Sequence, residues 1–478
     1  MSDVSSRLRE LPPITALLED SRLAPLLTGR RQAWLTRVIQ SVVAELRSEL
    51  KQAKGPVRDR RQLLNIAVQR VLDKKDTLTK KSWNRVLNGT GVVVHTNLGR
   101  SCFPPQAAEA ARTVALYNSD LEFDLPSGLR GHRGRQVEEK AALLAGAQDA
   151  LVVNNNAAAV WLAVRHLSRG GRVLLSRGEV VAIGGSFRMH DILAETGCQL
   201  VEVGTTNRTS LADYQEAMAP GTVVLKVHRS NFTVSGFTEE VALSDLAVLC
   251  RTKGCPLVYD AGSGAFHPYA EVGLPDSERL LNEDVAAGPD LVTCSGDKLL
   301  GGCQAGIIFG ATDLVAGLRA HPMRRAFRVD KTTLAALDEV LTAYLRSEGR
   351  PDIPTLNQLG LTLTVLAARA ERLLAELATA APANWQGSVV PGQSSVGGGT
   401  FADTSIESRL LLWNGPKEDL ERCNRLLRCG DPALVGRMNQ EGLAIDVRTI
   451  KETEQDLVVR AFGRAWQDMA RDGGQAHG

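Results

Sequence analysis

The chain has 478 residues, 44% of them apolar, with 56 Lys/Arg against 54 Asp/Glu, which allows about two to four domains and a large core. No apolar run of ~18 uncharged residues occurs and residues 1–7 lack the apolar stretch of a secretory signal, so a cytoplasmic protein without a membrane span is expected. Eight cysteines with no Cys-x-x-Cys and eight histidines with no His-Glu-x-x-His argue against a disulfide frame and give metal catalysis no support.

Residues 1–85 read as a small helical domain. Trp34, Leu35, Val38, Val42, Leu46 and Leu50 recur every three to four positions and make one apolar helix face. Lys54-Gly55-Pro56 breaks that helix. A second is predicted over 59–72, with Leu63, Leu64, Ala67 and Val71 on one side. This segment holds 18 Lys/Arg against 9 Asp/Glu, a net +9, and leaves −7 for the rest. Such an imbalance fits either a solvated helical face or an anionic partner.

Residues 86–345 alternate short apolar runs with helical patterns. Strands are predicted at 151–153, 173–176, 198–203, 223–228, 256–260, 291–295 and 305–309. Helix-length spacers between most of them predict an α/β domain with a seven-stranded, mostly parallel sheet. The last connection is too short for a helix, so the final pair is expected to be antiparallel. Ligands in such sheets sit at the carboxyl ends of strands. Residues 346–478 read as an α+β domain. It has a long helix at 359–379, a Gly/Ser-rich stretch at 387–399, and strand-like runs at 408–413 and 443–447. The end of the chain, from about Arg471, is expected to be disordered.

Two side chains suggest the chemistry. Asp260 ends one strand, and Lys298 follows the next in Ser295-Gly296-Asp297-Lys298. A pyridoxal phosphate (PLP) enzyme needs a lysine amine for its Schiff base. It also needs a carboxylate to keep the pyridinium nitrogen protonated. A surface lysine and an unrelated strand-end aspartate would give the same pattern. Strand 151–153 runs into Asn154-Asn155-Asn156-Ala157-Ala158-Ala159, where a helix starts. Backbone N–H groups at a helix N-terminus bind phosphate, although simple N-capping by asparagine explains the same residues. Ser295 could add a hydroxyl to that phosphate. The Gly-x-x-x-x-Gly-Lys-Ser/Thr and Gly-x-Gly-x-x-Gly fingerprints are absent, so a nucleotide cofactor is less favoured. Arg325 and Arg328, three apart, would share a helix face. With Arg85 they form a cationic group suited to a tetrahedral oxyanion, a substrate carboxylate or no ligand at all.

Several ordered motifs resemble bacterial selenocysteine synthase, L-seryl-tRNA(Sec) selenium transferase. They are Asn-Gly-Thr-Gly-Val-Val-Val-His-Thr-Asn-Leu-Gly-Arg at 88–100, Val-Asn-Asn-Asn-Ala-Ala-Ala at 153–159 and Glu-Val-Gly-Thr-Thr-Asn-Arg-Thr at 202–209. Lys-Val-His-Arg-Ser-Asn-Phe at 226–232, Ser-Gly-Asp-Lys-Leu-Leu-Gly-Gly at 295–302 and the Arg325/Arg328 run complete the set. The resemblance implies PLP-dependent transferase fold type I, with Lys298 as the Schiff-base lysine and Asp260 on the ring nitrogen. It implies Asn155, Asn156 and Ser295 at the phosphate, and Ala157 and Asn231 also at the cofactor. It further implies a homodecamer.

The implied activity converts L-seryl-tRNA(Sec) to L-selenocysteinyl-tRNA(Sec) with selenophosphate, through a PLP-bound aminoacrylyl-tRNA. Here the carboxyl of the substrate is an ester, so arginines that would grip a free amino acid are available for another anion. Arg85, Arg325 and Arg328 are assigned to selenophosphate on that ground. The basic helical domain then takes the tRNA. Two rivals are a PLP lyase acting on a free amino acid or amino-sugar acid and a catalytically silent tRNA-binding protein. The basic domain counts against the first, and intact Lys298 and Asp260 count against the second.

Overall fold

The computed structural model describes residues 3–52, 59–183, 187–275 and 278–475. The chain divides into two compact units, Met1–Arg85 and Val86–Gly478. Among the described residues no helix is long and apolar enough to cross a membrane.

In the first unit, α1 (Arg31–Gln52) buries Leu35, Val38, Ile39, Val42, Val43, Leu46 and Leu50, the stripe its periodicity predicts. The break assigned to Lys54-Gly55-Pro56 lies outside the described residues. Asp59 then caps α2 (Arg60–Thr79). Its carboxylate accepts the Gln62 N–H at 2.8 Å, and the Gln62 side chain accepts the Asp59 N–H at 3.2 Å. This reciprocal box satisfies two N–H groups that a bare helix start leaves open. Helix α2 runs seven residues beyond its predicted end and packs Ala67, Val68 and Val71 against α1 and Leu17.

All seven predicted strands form one sheet in the second unit. They are β1 (Asp149–Val153), β2 (Arg172–Ser176), β3 (Gln199–Val203), β4 (Val223–Val227), β5 (Leu257–Gly262), β6 (Leu291–Ser295) and β7 (Gly306–Gly310). Their order is β1-β7-β6-β5-β4-β2-β3. Strand β7 runs antiparallel to both neighbours, and the other pairs are parallel. Apolar side chains fill both faces. Leu174, Val224, Leu257 and Val292 point to one cluster, and Leu175, Leu225, Val258 and Leu291 to the other. Helices cover both faces, so the strands read as continuous apolar runs. Helix α3 (Asn156–Ser168) follows β1 directly.

The C-terminal part corrects two expectations. The Gly/Ser-rich stretch, for which no element is predicted, forms most of a long strand, β8 (Gln386–Gly397), paired with β9 (Thr400–Asn414). Two of its glycines lie beneath large neighbours: a Cβ on Gly387 would meet the Trp413 ring at 2.9 Å, and one on Gly392 would meet Leu410 Cγ at 2.4 Å. The predicted helix at 359–379 starts later than expected: a short helix, Pro354–Leu359, comes first, and the long one spans Leu363–Ala378. Gly360 ends the first, and the Thr362 hydroxyl caps the second by accepting the Val365 N–H. The last helix continues from Gln455 to Gln475 rather than dissolving near Arg471; residues 476–478 lie outside the described part. Strand β10 (Leu443–Asp446) pairs with β9, and Val92–Val94 joins the other edge through β8. Trp413, Phe462 and Trp466 fill the core behind this sheet.

Candidate active site

Strand β5 carries Asp260 to the carboxyl end of the sheet, where it is 6% exposed. One of its oxygens accepts from Asn156 Nδ2 at 2.8 Å and from Thr293 Oγ1 at 3.1 Å. Burial pushes the carboxyl up, while Asn156 and the Lys298 charge pull it down. Strand β6 ends at Ser295, and a tight turn carries Lys298 before β7 begins. Gly296 N–H donates to the Ala305 carbonyl at 2.8 Å and Gly302 N–H to the Gly296 carbonyl at 2.9 Å, closing that turn. Lys298 is 5% exposed, and burial lowers its amine pKa against the pull of Asp260, with the Arg100 charge adding to the lowering. An amine held in this way is more often neutral, as a nucleophile or base requires.

The 95–101 segment braces the lysine turn from outside. Arg100, in a left-handed conformation at φ 63°, donates from Nη1 to Asp297 Oδ2 at 2.7 Å. Ser101 Oγ donates to the Lys298 carbonyl at 2.6 Å.

The phosphate cradle predicted after β1 is built as a helix start. Asn155 is the N-cap of α3, its side chain accepting the Ala158 N–H at 2.9 Å. This leaves the amides of Asn156 and Ala157 in the first turn, where no carbonyl of the helix can reach them. A Cβ on Gly306 would lie 2.2 Å from the Asn155 carbonyl oxygen and 2.9 Å from the Asn156 nitrogen. Only glycine at that place lets β7 pass so close to the cradle. Gly264, at φ +77°, plays the matching part beside Ser295, whose carbonyl a Cβ would meet at 2.5 Å. Asn231 donates from Nδ2 to the Ala182 carbonyl at 2.9 Å.

Not every predicted site residue joins this group. Arg325 and Arg328 do not share a helix face: the 3-10 turn Pro322–Arg325 ends before Arg328. The intervening chain is tied elsewhere. The Phe327 carbonyl accepts the Asn154 N–H at 3.1 Å, and Asp330 caps the helix Lys331–Arg346. The loop therefore adjoins the start of α3. Arg328 pairs with Glu122, which also takes Arg133 at 2.7 Å and Arg130 at 3.0 Å. Arg133, with the nearby Arg328 charge adding to its effect, holds the Glu122 carboxyl below its usual range. Arg325 is exposed, and so is Arg85, which closes the first unit.

The sequence profile of the family described as "SelA: L-seryl-tRNA selenium transferase" matches residues 86–451. The chain belongs to this family. An L-seryl-tRNA(Sec) selenium transferase of Solidesulfovibrio magneticus is 42% identical over 470 residues, covering 96% of this chain and 98% of that one. One of Carboxydothermus hydrogenoformans is 41% identical over 457 residues, covering 95% and 96%. Among solved structures, D-glucosaminate-6-phosphate ammonia-lyase superposes with a TM-score of 0.57 at 20% identity, over 81% of this chain and 97% of that one. The fold is the PLP-dependent fold type I, and the selenium transferase family is PLP-dependent.

The residues of this site fit that cofactor. Asn156 Oδ1 and Asn231 Oδ1 are both buried without a hydrogen-bond partner among the described residues. A buried carboxylate and a buried amine stand beside a helix start with open amides. This donor set matches a ring nitrogen, an aldehyde carbon and a phosphate. Sequence reasoning missed Thr293, Arg100 and Ser101 as members of the site. Arg100 ends a quoted motif, and Thr293 is two residues before Ser295 on the same strand face; those were the available signals.

Proposed function

We propose that this member of the selenium transferase family converts L-seryl-tRNA(Sec) to L-selenocysteinyl-tRNA(Sec) with selenophosphate at the Asp260–Lys298 site. The observation that carries the reading is the buried Lys298 amine beside buried Asp260, in a chain of this family. PLP, when bound, supplies the sink for electrons released at the substrate Cα. Asp260 would hold its ring nitrogen and Lys298 its aldehyde carbon. Asn155, Asn156, Ala157 and Ser295 would hold its phosphate, and Asn231 would lie against its ring.

Lys298 Nζ takes the Cα proton of the seryl group, which its lowered pKa favours. The β-hydroxyl then leaves as water with a proton returned by Lys298, the selenium of selenophosphate adds at Cβ as Cα regains a proton, and water cleaves the Se–P bond to release phosphate. Arg85, Arg325 and Arg328 are assigned to selenophosphate, a multiply charged tetrahedral anion that guanidinium forks suit. The ester linkage leaves the substrate without a carboxylate for them to grip. The basic segment 1–85 is assigned to the tRNA, 86–345 to catalysis and 346–478 to a smaller α+β domain. The protein is further read as a cytoplasmic homo-oligomer, at least a dimer and by family likeness a decamer.

The discriminating experiment offers the purified protein seryl-tRNA(Sec) or free serine, each with selenophosphate, and identifies the amino acid produced. Selenocysteine on the tRNA alone is expected. Turnover of the free amino acid, with the seryl ester untouched, would show a lyase instead.

A further inference from the structure

Where β4 ends, His228 donates its backbone N–H to the Asp260 carbonyl at 2.9 Å, and Ser230 N–H returns to the His228 carbonyl at 3.0 Å. The loop that follows carries Asn231. The His228 imidazole Nε2 lies 3.2 Å from Glu278 Oε2, and the Glu278 side chain is 2% exposed. The contact is an ion pair by distance, and neither atom has a hydrogen-bond partner among the described residues. The other Glu278 oxygen accepts the Phe401 N–H at 2.9 Å.

Phe401 is the second residue of β9, just past the bend that joins it to β8. There Gly397, Gly398, Gly399, Phe401 and Asp403 have φ of 82°, 67°, 72°, 51° and 58°. Left-handed backbone at a phenylalanine and an aspartate is strained and persists only where its surroundings enforce it. The enforcing contacts lead back to the site. The Phe401 ring meets Tyr269 edge-on at 5.2 Å, and Tyr269 donates its hydroxyl to the Leu299 carbonyl at 3.0 Å. Thr233 Oγ1 donates to Asp403. One buried carboxylate therefore touches both the Asn231 loop and the bend that braces the residue after Lys298.

We propose that Glu278 is a positioning residue of the reaction, fixing the Asn231 loop through His228 and the Lys298 turn through Phe401. This rests on the reading of the site given above. The charge balance is consistent with it. Burial alone would lower the His228 pKa, but Glu278 outweighs burial and the imidazole is held above its ordinary value, with Asp284 and Glu240 adding to the effect. Burial lowers the Lys298 amine overall, and the same carboxylate adds a small opposing pull after those of Asp260 and Asp297. Glu278 thus links the proton on His228 to the geometry around Lys298.

The test is Glu278→Gln, which keeps an acceptor for Phe401 but removes the charge facing His228. Three quantities are followed in the full-length holoenzyme: bound PLP, the imidazole titration of His228 by NMR, and the pH profile of seryl-tRNA dehydration without donor. The His228 pKa is expected to fall, because burial is then opposed only by the Asp284 and Glu240 charges. The alkaline limb of kcat should move down with it, and kcat at pH 8 should drop about tenfold or more, the scale of a lost charged hydrogen bond, with KM for seryl-tRNA within about twofold. An unmoved titration and profile would overturn the proposal. So would a loss confined to thermal stability. If Glu278→Gln does not fold, His228→Gln is read by the same kcat and KM split, and a wild-type kcat overturns it. A wild-type protein that binds no PLP sinks the site reading itself; one that binds PLP while the variant keeps its profile sinks only this inference.

Discussion

Asn156 donates from Nδ2 to Asp260 Oδ1 at 2.8 Å, so the first turn of α3 grips the carboxylate that ends β5. One side chain thereby ties the helix start proposed to hold the cofactor phosphate to the carboxylate proposed to hold its ring nitrogen. Asn156 is also the strongest of the influences that keep the Asp260 carboxyl from rising further under burial.

Asn156→Ala should therefore weaken PLP binding about tenfold or more, from the ~1.5–3 kcal/mol of a hydrogen bond to a charged group. Equilibrium titration of the apoprotein with PLP measures this. An unchanged Kd would place the Asn156 contact outside cofactor binding.

Arg325→Ala and Arg328→Ala should each impair use of selenophosphate about 10- to 150-fold, from the same ~1.5–3 kcal/mol, while dehydration of the seryl group persists. The two half-reactions are followed separately. Arg328 carries a further signature, because its removal leaves Glu122 with Arg133 and Arg130 alone. Equal losses in both half-reactions would move these arginines to the cofactor phosphate or the tRNA backbone.

The seven sheet strands were legible because a sheet covered on both faces demands unbroken apolar runs. Lys298, Asp260 and the Asn155–Asn156 helix start were legible because each sits at a strand end within a dense local motif. Strand β8 was not, since Gly387 and Gly392 are there to make room for Trp413 and Leu410, partners that only the register reveals. Arg100 and Ser101 reach Asp297 and Lys298 across 197 positions of sequence, a distance no local pattern spans. The separation of Arg325 from Arg328 was hidden for a similar reason. The Phe327 carbonyl is claimed by Asn154, far upstream, and this prevents the turn from continuing as a helix.

Glu138 gives a pH prediction. It is 3% exposed and accepts from Val152 N–H at 3.2 Å and from Arg319 at 3.2 Å. Burial outweighs Arg319 and pushes its carboxyl from 4.5 up to about 7. The folded state then holds this proton more tightly than the unfolded chain does. Its contribution to stability falls as pH rises from the unfolded value through about 7 and is flat above that. The full loss is on the order of 3 kcal/mol. Glu138→Gln removes the titration, so its Tm relative to wild type should rise between pH 5 and pH 8. A pH-independent difference would contradict the raised value.

Deleting residues 1–80 should leave a folded, PLP-loaded core, because the first unit has its own apolar cluster around Leu35, Ile39 and Val68. Affinity for seryl-tRNA(Sec) should fall sharply and lose much of its salt dependence, as expected when phosphate-contacting cations are removed. Filter binding at two salt concentrations measures both. A truncated protein that binds as tightly as the full chain would move the tRNA contact elsewhere.

The most direct measurement is formation of selenocysteinyl-tRNA(Sec) from seryl-tRNA(Sec) and selenophosphate by the wild type and by Lys298→Ala, side by side. The wild type should form the product. The variant should form none and should lose the visible absorbance of lysine-bound PLP, because the buried Lys298 amine is proposed both to hold the cofactor and to take the Cα proton. Product formation by Lys298→Ala at a near wild-type rate would contradict the assignment of this site.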